Sequence, residues 1–297
     1  MTIHHRLHLW ADIAGPIPDS LGMSFPANPS ARDGGILIPD ISEDDPSWPR
    51  IVLFLKEYHR AWAAHPRNAW GVARYGSTED PLADFAHAKF SHKERRAAPY
   101  LALDTSLLGF PQPQDAVEFY RTTYKTDCPR CRRGAEQILP LCLSGEPKWG
   151  KSRGIFQLNW VADEFLVKPE MFDKAFRPFG ITSRPVLDYK SRSVLRTAVQ
   201  LVIPLRADVD VANAVYQICN VCGDRGYDRD SRNYAPMPLS GPGPIFKSNL
   251  WFSPFHSIVY MTQDLCRSIG ESGFRGAYSI PCSAQPIAGP GQPDVSP

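Results

Sequence analysis

The sequence predicts an α+β fold: a mostly antiparallel sheet with short helices, stapled by four cysteines. Three observations lead there. Proline supplies 29 of 297 residues, about twice its usual share of ~5%, which disfavours long helices and unbroken central strands. Helical and strand periodicities both occur. Trp48, Ile51, Val52, Leu55, Tyr58 and Trp62 recur at helical spacing, whereas Ile155-Phe-Gln-Leu-Asn-Trp160 alternates apolar with polar. Finally, Cys128-Pro-Arg-Cys131 and Cys219-Asn-Val-Cys222-Gly223 form two C-x-x-C pairs. Two residues between thiols let both sulfurs of a pair point at one ion, and two pairs complete a tetrahedral Cys₄ shell that suits a structural Zn²⁺.

In chain order, residues 1–46 are rich in Pro, Gly and Asp, with short apolar runs such as Gly35-Ile-Leu-Ile38, and read as extended segments and turns. Ser47-Trp48-Pro49 opens the first helix, since Ser can cap and Pro is tolerated in the first turn. Residues 68–84 read as loop, punctuated by Gly71, Gly76 and Pro81. Ser91 with Glu94 has the form of a capping box on a helix cut short by Pro99. Tyr100–Leu103 reads as strand and Asp115–Arg121 as a short helix leading to the first cysteine pair.

Beyond that pair the pattern turns β-rich. After Ile155–Trp160, Phe165–Val167 is a second short run, and Pro169 opens a helix through Phe176 with Gly180 near its end. Arg184–Tyr189 and Val194–Pro204 are strand candidates, and Gly223–Pro244 reads as loop. Ser257–Met261 reads as strand, Thr262 as N-cap, Gln263–Glu271 as helix, Gly273 as its stop and Ala277–Pro281 as the last strand. Val167-Lys-Pro-Glu-Met-Phe…Gly180 and Met261-Thr-Gln-Asp-Leu-Cys…Gly273 share an order: strand end, cap, acidic residue, apolar pair, glycine. A repeated strand–helix–strand unit and chance recurrence both account for it. The expected organisation is an irregular, partly helical N-terminal region over 1–120, a zinc-binding α+β domain over 121–283 and a disordered tail over 284–297, which holds no large aromatic.

Composition limits function. A net charge of +2 gives no global field favouring nucleic acid or membrane. No stretch approaches the ~20 apolar residues of a membrane span. No apolar run follows Met1–Trp10, so no secretory signal is read. Together with the C-x-x-C spacing, this leads to the expectation of reduced thiols and a cytoplasmic protein. The two pairs bracket residues 132–218. Closing that loop costs about 4 kcal/mol, well within the ~10–16 kcal/mol that structural zinc supplies in small peptides. Unmetallated or disulfide-forming thiols are the competing state. Gly223 supplies the positive φ that follows the second cysteine of a zinc-binding turn; Arg132 occupies that place in the first turn, less comfortably. Cys142, Cys266 and Cys282 have apolar neighbours and read as small buried hydrophobes.

From 128 to 282 the chain resembles the bacterial double-CXXCG motif proteins, small cytoplasmic zinc-binding proteins of which several act as immunity proteins against toxins exchanged between neighbouring cells. The resemblance rests on the two widely separated cysteine pairs and on Asn159-Trp160 followed by Phe165-Leu-Val167. It also rests on the ending Ile258-Val-Tyr-Met…Leu265…Gly273-Phe-Arg-Gly276…Ile280-Pro281. The first pair departs from the family pattern, with Arg132 where the motif has glycine. The resemblance implies zinc ligands at Cys128, Cys131, Cys219 and Cys222 and no catalytic residues.

Arg121–Arg153 holds eight basic residues with Trp149 nearby, which could meet nucleic acid, an acidic protein partner or only solvent. His4, His5 and His8 could bind a metal or belong to a mobile terminus. His59 reads as packed against the first helix's apolar face. His87, His92 and Glu94 lack H-E-x-x-H spacing, and the chain has no P-loop and no G-x-S-x-G elbow. The function read from these features is a non-enzymatic cytoplasmic immunity or interaction protein that binds and masks a toxin-like protein partner. A zinc-ribbon nucleic-acid-binding protein is the alternative; an enzyme with a site between the N- and C-terminal regions is the second.

Overall fold

The computed structural model describes residues 2–10, 35–64, 86–105, 116–158, 161–212, 214, 216–227, 235–252 and 256–283. The expected tail over 284–297, the loop over 68–84 and Asn159-Trp160 lie outside them. The described residues fall into two compact units, 2–91 and 92–283. Residues 92–105 and 116–120, grouped from sequence with the N-terminal region, belong to the second unit.

The first unit contains β1 (Thr2–Trp10), β2 (Gly35–Ser42), α1 (Trp48–Ala64) and β3 (Ala86–Lys89). Strand β1 lies between β2 and β3, antiparallel to both. His4, His5 and His8 thus lie on a central strand rather than on a mobile terminus. Helix α1 buries Trp48, Ile51, Leu55 and Tyr58 of the predicted stripe, leaves Val52 half-buried and buries Phe54, which the periodicity did not include. Ser47 opens the helix, its carbonyl accepting from the Arg50 and Ile51 N–H groups at 3.0 and 3.1 Å. Its hydroxyl donates to Asp45 Oδ1 at 2.6 Å, and the Trp48 N–H is taken by the Asp45 carbonyl at 2.8 Å.

In the second unit the order is α2 (His92–Ala97), β4 (Tyr100–Thr105), α3 (Ala116–Thr123), β5 (Tyr124–Lys125), β6 (Glu136–Gln137), β7 (Cys142–Leu143), β8 (Ile155–Leu158) and β9 (Val161–Val167). A composite helix, α4, then runs as an α-turn Pro169–Met171, a π-turn Phe172–Phe176 and a 3₁₀-turn Arg177–Phe179. After it come β10 (Thr182–Asp188), β11 (Val194–Val202), β12 (Arg206–Ala207), β13 (Tyr216–Ile218), β14 (Arg225–Tyr227), β15 (Ala235–Pro236), β16 (Ile245–Ser248), β17 (Val259–Thr262), α5 (Gln263–Glu271) and β18 (Ala277–Ser283). Strands β14 and β15 occupy the stretch the sequence assigns to loop. No helix among the described residues is long and apolar enough to cross a membrane.

Two sheets organise this unit, and they are built alike. One has the order β7-β10-β11-β9-β8, the other β12-β16-β17-β4-β18-β15. In each, an antiparallel hairpin (β8–β9, β16–β17) feeds a helix (α4, α5) that returns to a strand one position away (β10, β18). An antiparallel strand fills the gap, β11 in the first sheet and β4 in the second, and a two-residue strand closes the edge in parallel. The shared pattern around Pro169 and Gln263 therefore marks a structural repeat. Its filler strand follows the unit in the first copy but in the second comes from far upstream, at Tyr100–Thr105. The mostly antiparallel α+β architecture is as the sequence predicts.

Local chemistry sets the helix ends. Pro169 sits in the first turn of α4, where its missing N–H has no intrahelical partner to lose. In α5 the Thr262 hydroxyl accepts from the Leu265 N–H at 3.4 Å. Gly180, at φ 72°, ends α4 in a left-handed cap. The helices meet, Ser268 Oγ donating to the Ala175 carbonyl at 3.3 Å. One core lies between the repeats, joining Phe165, Met171 and Phe176 to Met261, Leu265 and Ile269. The far faces are buried too. Phe156, Leu166 and Val186 pack under Phe119 of α3, while Phe246, Tyr260 and Phe252 form a third cluster. This explains why β8 is not half-buried as its alternation predicts. All four of its residues are buried, and Gln157 is satisfied by accepting from Thr105 Oγ1 at 2.9 Å and donating to the Ala162 carbonyl.

Gly154 lies where the repeats touch, its N–H bonded to the Arg275 carbonyl at 2.9 Å. A Cβ there would sit 2.6 Å from Met171 Sδ and 2.7 Å from Phe274 Cβ, whereas Gly270 in α5 has open space. Gly154→Ala should therefore destabilise by about 1–3 kcal/mol and Gly270→Ala stabilise by about 0.5–1 kcal/mol. Denaturant midpoints read both, and equal effects of the two changes would refute this packing.

Candidate metal centre and adjoining cleft

Each cysteine pair caps a minimal hairpin. Tyr124 and Lys125 pair with Gln137 and Glu136, and Tyr216–Ile218 pairs with Tyr227–Arg225. The turns match. The Arg132 N–H bonds the Cys128 carbonyl and the Gly223 N–H the Cys219 carbonyl, both at 2.9 Å. Both donors have positive φ, 56° at Arg132 and 74° at Gly223. Arg132 holds this disfavoured conformation with its guanidinium 3.5 Å from the centre of the Tyr120 ring. At Gly134, φ 68°, a Cβ would overlap the Asp127 carboxylate, so only glycine closes the first hairpin. Arg133 reaches across to Asp224 at 3.4 Å.

The two turns bring Cys128, Cys131, Cys219 and Cys222 together, with all four sulfurs within 4.8 Å of one another. Cys128 Sγ is 3.9 Å from Cys219 Sγ, and Cys131 Sγ is 3.5 Å from Cys222 Sγ. Cys128 is buried and Cys222 exposed. Backbone N–H groups at Cys222 and Val221 draw the Cys219 thiol down to about 6, and that of Cys131 lowers Cys128. Desolvation pushes Cys131 up to about 12. Sulfurs this close cannot all ionise unaided; a bound cation removes that conflict. The cluster could hold a metal ion. The remaining cysteines stand apart. Cys142 and Cys282 are buried and Cys266 half-buried, and Cys142 Sγ accepts from Arg192 Nη1 at 3.2 Å.

Beside the first hairpin lies a cleft of about 530 Å³, which sequence reasoning missed. Its floor is ionic. Lys247 Nζ lies 2.7 Å from Glu164 Oε1 and 3.4 Å from Asp163 Oδ2, all three nearly buried. Gln200 Nε2 donates to Glu164 Oε2 at 2.8 Å and to Gln137 Oε1 at 2.6 Å. The Ser257 N–H reaches Asp163 Oδ2 at 3.3 Å. Burial alone would lower the Lys247 pKa, but the two carboxylates more than offset it and the ammonium is held above its ordinary value. The available signal was charge inside apolar strands: Asp163-Glu164 within Val161–Val167, and Lys247 after Phe246.

Part of the basic segment is engaged within the fold, while Arg121, Lys125, Arg130, Lys148 and Lys151 stay exposed. Arg132 stacks on Tyr120, Arg133 pairs with Asp224, and Trp149 packs against Phe156 with ring centres 4.9 Å apart. Comparison with models of known protein families gives no match, and comparison with curated proteins gives none.

Removing Lys247 would leave two buried carboxylates uncompensated, so Lys247→Met should cost about 3–5 kcal/mol. The raised lysine also sets a sign. Its contribution is whole below the ordinary value of 10.5 and drains as pH rises through the higher folded value. Urea unfolding at neutral and strongly alkaline pH checks both. A loss under about 1 kcal/mol, the range of an exposed pair, would show that the ammonium is not held as described.

Proposed function

We propose that the chain is a non-enzymatic binding protein. Zn²⁺ held by Cys128, Cys131, Cys219 and Cys222 pins its scaffold, and a surface beside the metal masks a protein partner. The observation that carries this is the donor set. A tetrahedral site with Zn–S bonds of about 2.3 Å has sulfurs about 3.8 Å apart, and the two closest cross-hairpin pairs stand at 3.5 and 3.9 Å. Four thiolates fill that shell and leave no position for a substrate, which favours a structural metal. The resemblance to the double-CXXCG motif proteins favours a toxin-like partner and a reducing, cytoplasmic setting.

The partner surface is the metal-pinned hairpin β13–β14. Tyr216, Ile218 and Val221 are 43%, 65% and 61% exposed, an apolar display on one short, rigidly held element. Masking would be steric. The nucleic-acid reading rests on eight basic residues, of which Arg132 is turned to Tyr120 and Arg133 to Asp224 while Arg121, Lys125, Arg130, Lys148 and Lys151 remain exposed, so it stays as the alternative.

Protein purified without chelators should carry about one equivalent of zinc. Cys219→Ser should lose it, with a fall in melting temperature of about 10 °C; less than half an equivalent in the wild type removes the metal reading. Separately, the immobilised chain should retain from host extract a protein that the Ile218→Asp variant does not. Identical retention by both would overturn the masking surface and leave the metal untouched.

A further inference from the structure

The cleft beside the first cysteine hairpin is independent of the proposed masking surface, and its chemistry points to a different ligand. Among the residues lining it, the ionic floor is internally satisfied. Lys247 is engaged by Asp163 and Glu164, and Gln200 links Glu164 to Gln137. Besides the exposed Glu136 carboxylate, the cleft also offers donors. Tyr124 is only 7% exposed, lines the cleft, and its hydroxyl has no hydrogen-bond partner. Burial, with Glu164 and Asp163 nearby, holds that hydroxyl well above the ordinary tyrosine value, so it stays an O–H donor. Arg184, half-buried on β10, also lines the cleft, and its guanidinium makes no hydrogen bond or ion pair with another described residue. Arg206 is aimed by bonds from Nη1 to the Ser248 carbonyl at 2.9 Å and Ser257 Oγ at 3.2 Å, with Trp251 beside its guanidinium. Its other N–H groups remain to donate.

Of the four cations lining the cleft, Arg133 is paired with Asp224 and Lys247 with Asp163 and Glu164, which leaves Arg184 and Arg206 without a carboxylate partner among the described residues. An acceptor-only, negatively charged group matches these two guanidinium groups and the Tyr124 hydroxyl. Trp251, Val161 and Ile203 supply apolar wall, and the volume is that of a small-molecule site. We propose that the cleft binds a small organic anion, its carboxylate or phosphate oxygens held by Arg184 and Tyr124 and its apolar body resting against Trp251.

The test titrates the full chain as purified with benzoate, phenyl phosphate, inorganic phosphate and benzyl alcohol, read by calorimetry and tryptophan fluorescence. Benzoate or phenyl phosphate should bind saturably, and whichever binds more tightly identifies the anion. Arg184→Gln should weaken that binding about tenfold or more and Tyr124→Phe several-fold, with the melting temperature of Tyr124→Phe unchanged or raised, since it removes an unmet buried hydroxyl. The proposal is overturned if neither aromatic anion saturates at concentrations on the order of 10 mM, or if binding is the same in both variants. Benzyl alcohol matching benzoate, or inorganic phosphate matching phenyl phosphate, overturns it as well.

Discussion

Four sulfurs from two hairpins converge on one point, and the chain between them, residues 132–218, contains every strand of the first sheet. The rest of the second unit depends on that closure. Neither hairpin could hold its place alone: β5–β6 pairs two residues on each side and β13–β14 three, below what stands independently in water. The Arg133–Asp224 bridge between them is largely exposed and contributes about 1 kcal/mol at most. Closing the loop costs about 4 kcal/mol. A metal ion, which the four sulfurs could hold, would offset that cost in a way that the ion pair cannot.

A second tie acts at right angles in logic. The core shared by the two repeats is apolar and therefore non-directional; similar sheets could pack on each other in more than one offset. Lys247 cannot be so tolerant. It extends from β16 in one sheet to Asp163 and Glu164 on β9 of the other, and Gln200, Gln137 and the Ser257 N–H complete the carboxylates' shells. Only one register meets every group, and leaving any charge unmet inside costs several kcal/mol. The ionic network thus selects among arrangements that the apolar core would accept.

What could be read from sequence was what local chemistry determines. The two C-x-x-C turns, the Thr262 cap, the Pro169 start and the Gly180 stop each depend on neighbours within a few residues. Less could be read where the partner is remote. Strand β4 looks like an ordinary short strand, and nothing in Tyr100–Thr105 says that it fills a gap between β17 and β18. Strands β14 and β15 sit among Asp, Arg, Gly and Pro that favour turns. They pair because the second cysteine turn and β18 present edges to them. Asp163, Glu164 and Lys247 carried a usable signal, charge within apolar strands, but their mutual contact spans more than 80 residues. The discomfort expected at Arg132 is real in its φ of 56°; the Tyr120 ring beneath its guanidinium offers compensation that no local rule supplies.

Hairpin β5–β6 is where the two ties meet. Tyr124 and Gln137 are direct cross-strand partners. Gln137 belongs to the ionic network of the cleft and Tyr124 to its wall, while Cys128 lies only four residues beyond Tyr124. Four residues of extended chain span about 13 Å at most, and the Asp127 N–H and Arg133 carbonyl close the hairpin at 2.8 Å within that span. A segment so short and so cross-bonded has little slack, so its sulfur end and its cleft end cannot be placed independently. A metal ion that the four sulfurs could hold would therefore also fix the wall of the cavity that Tyr124 and Arg184 line.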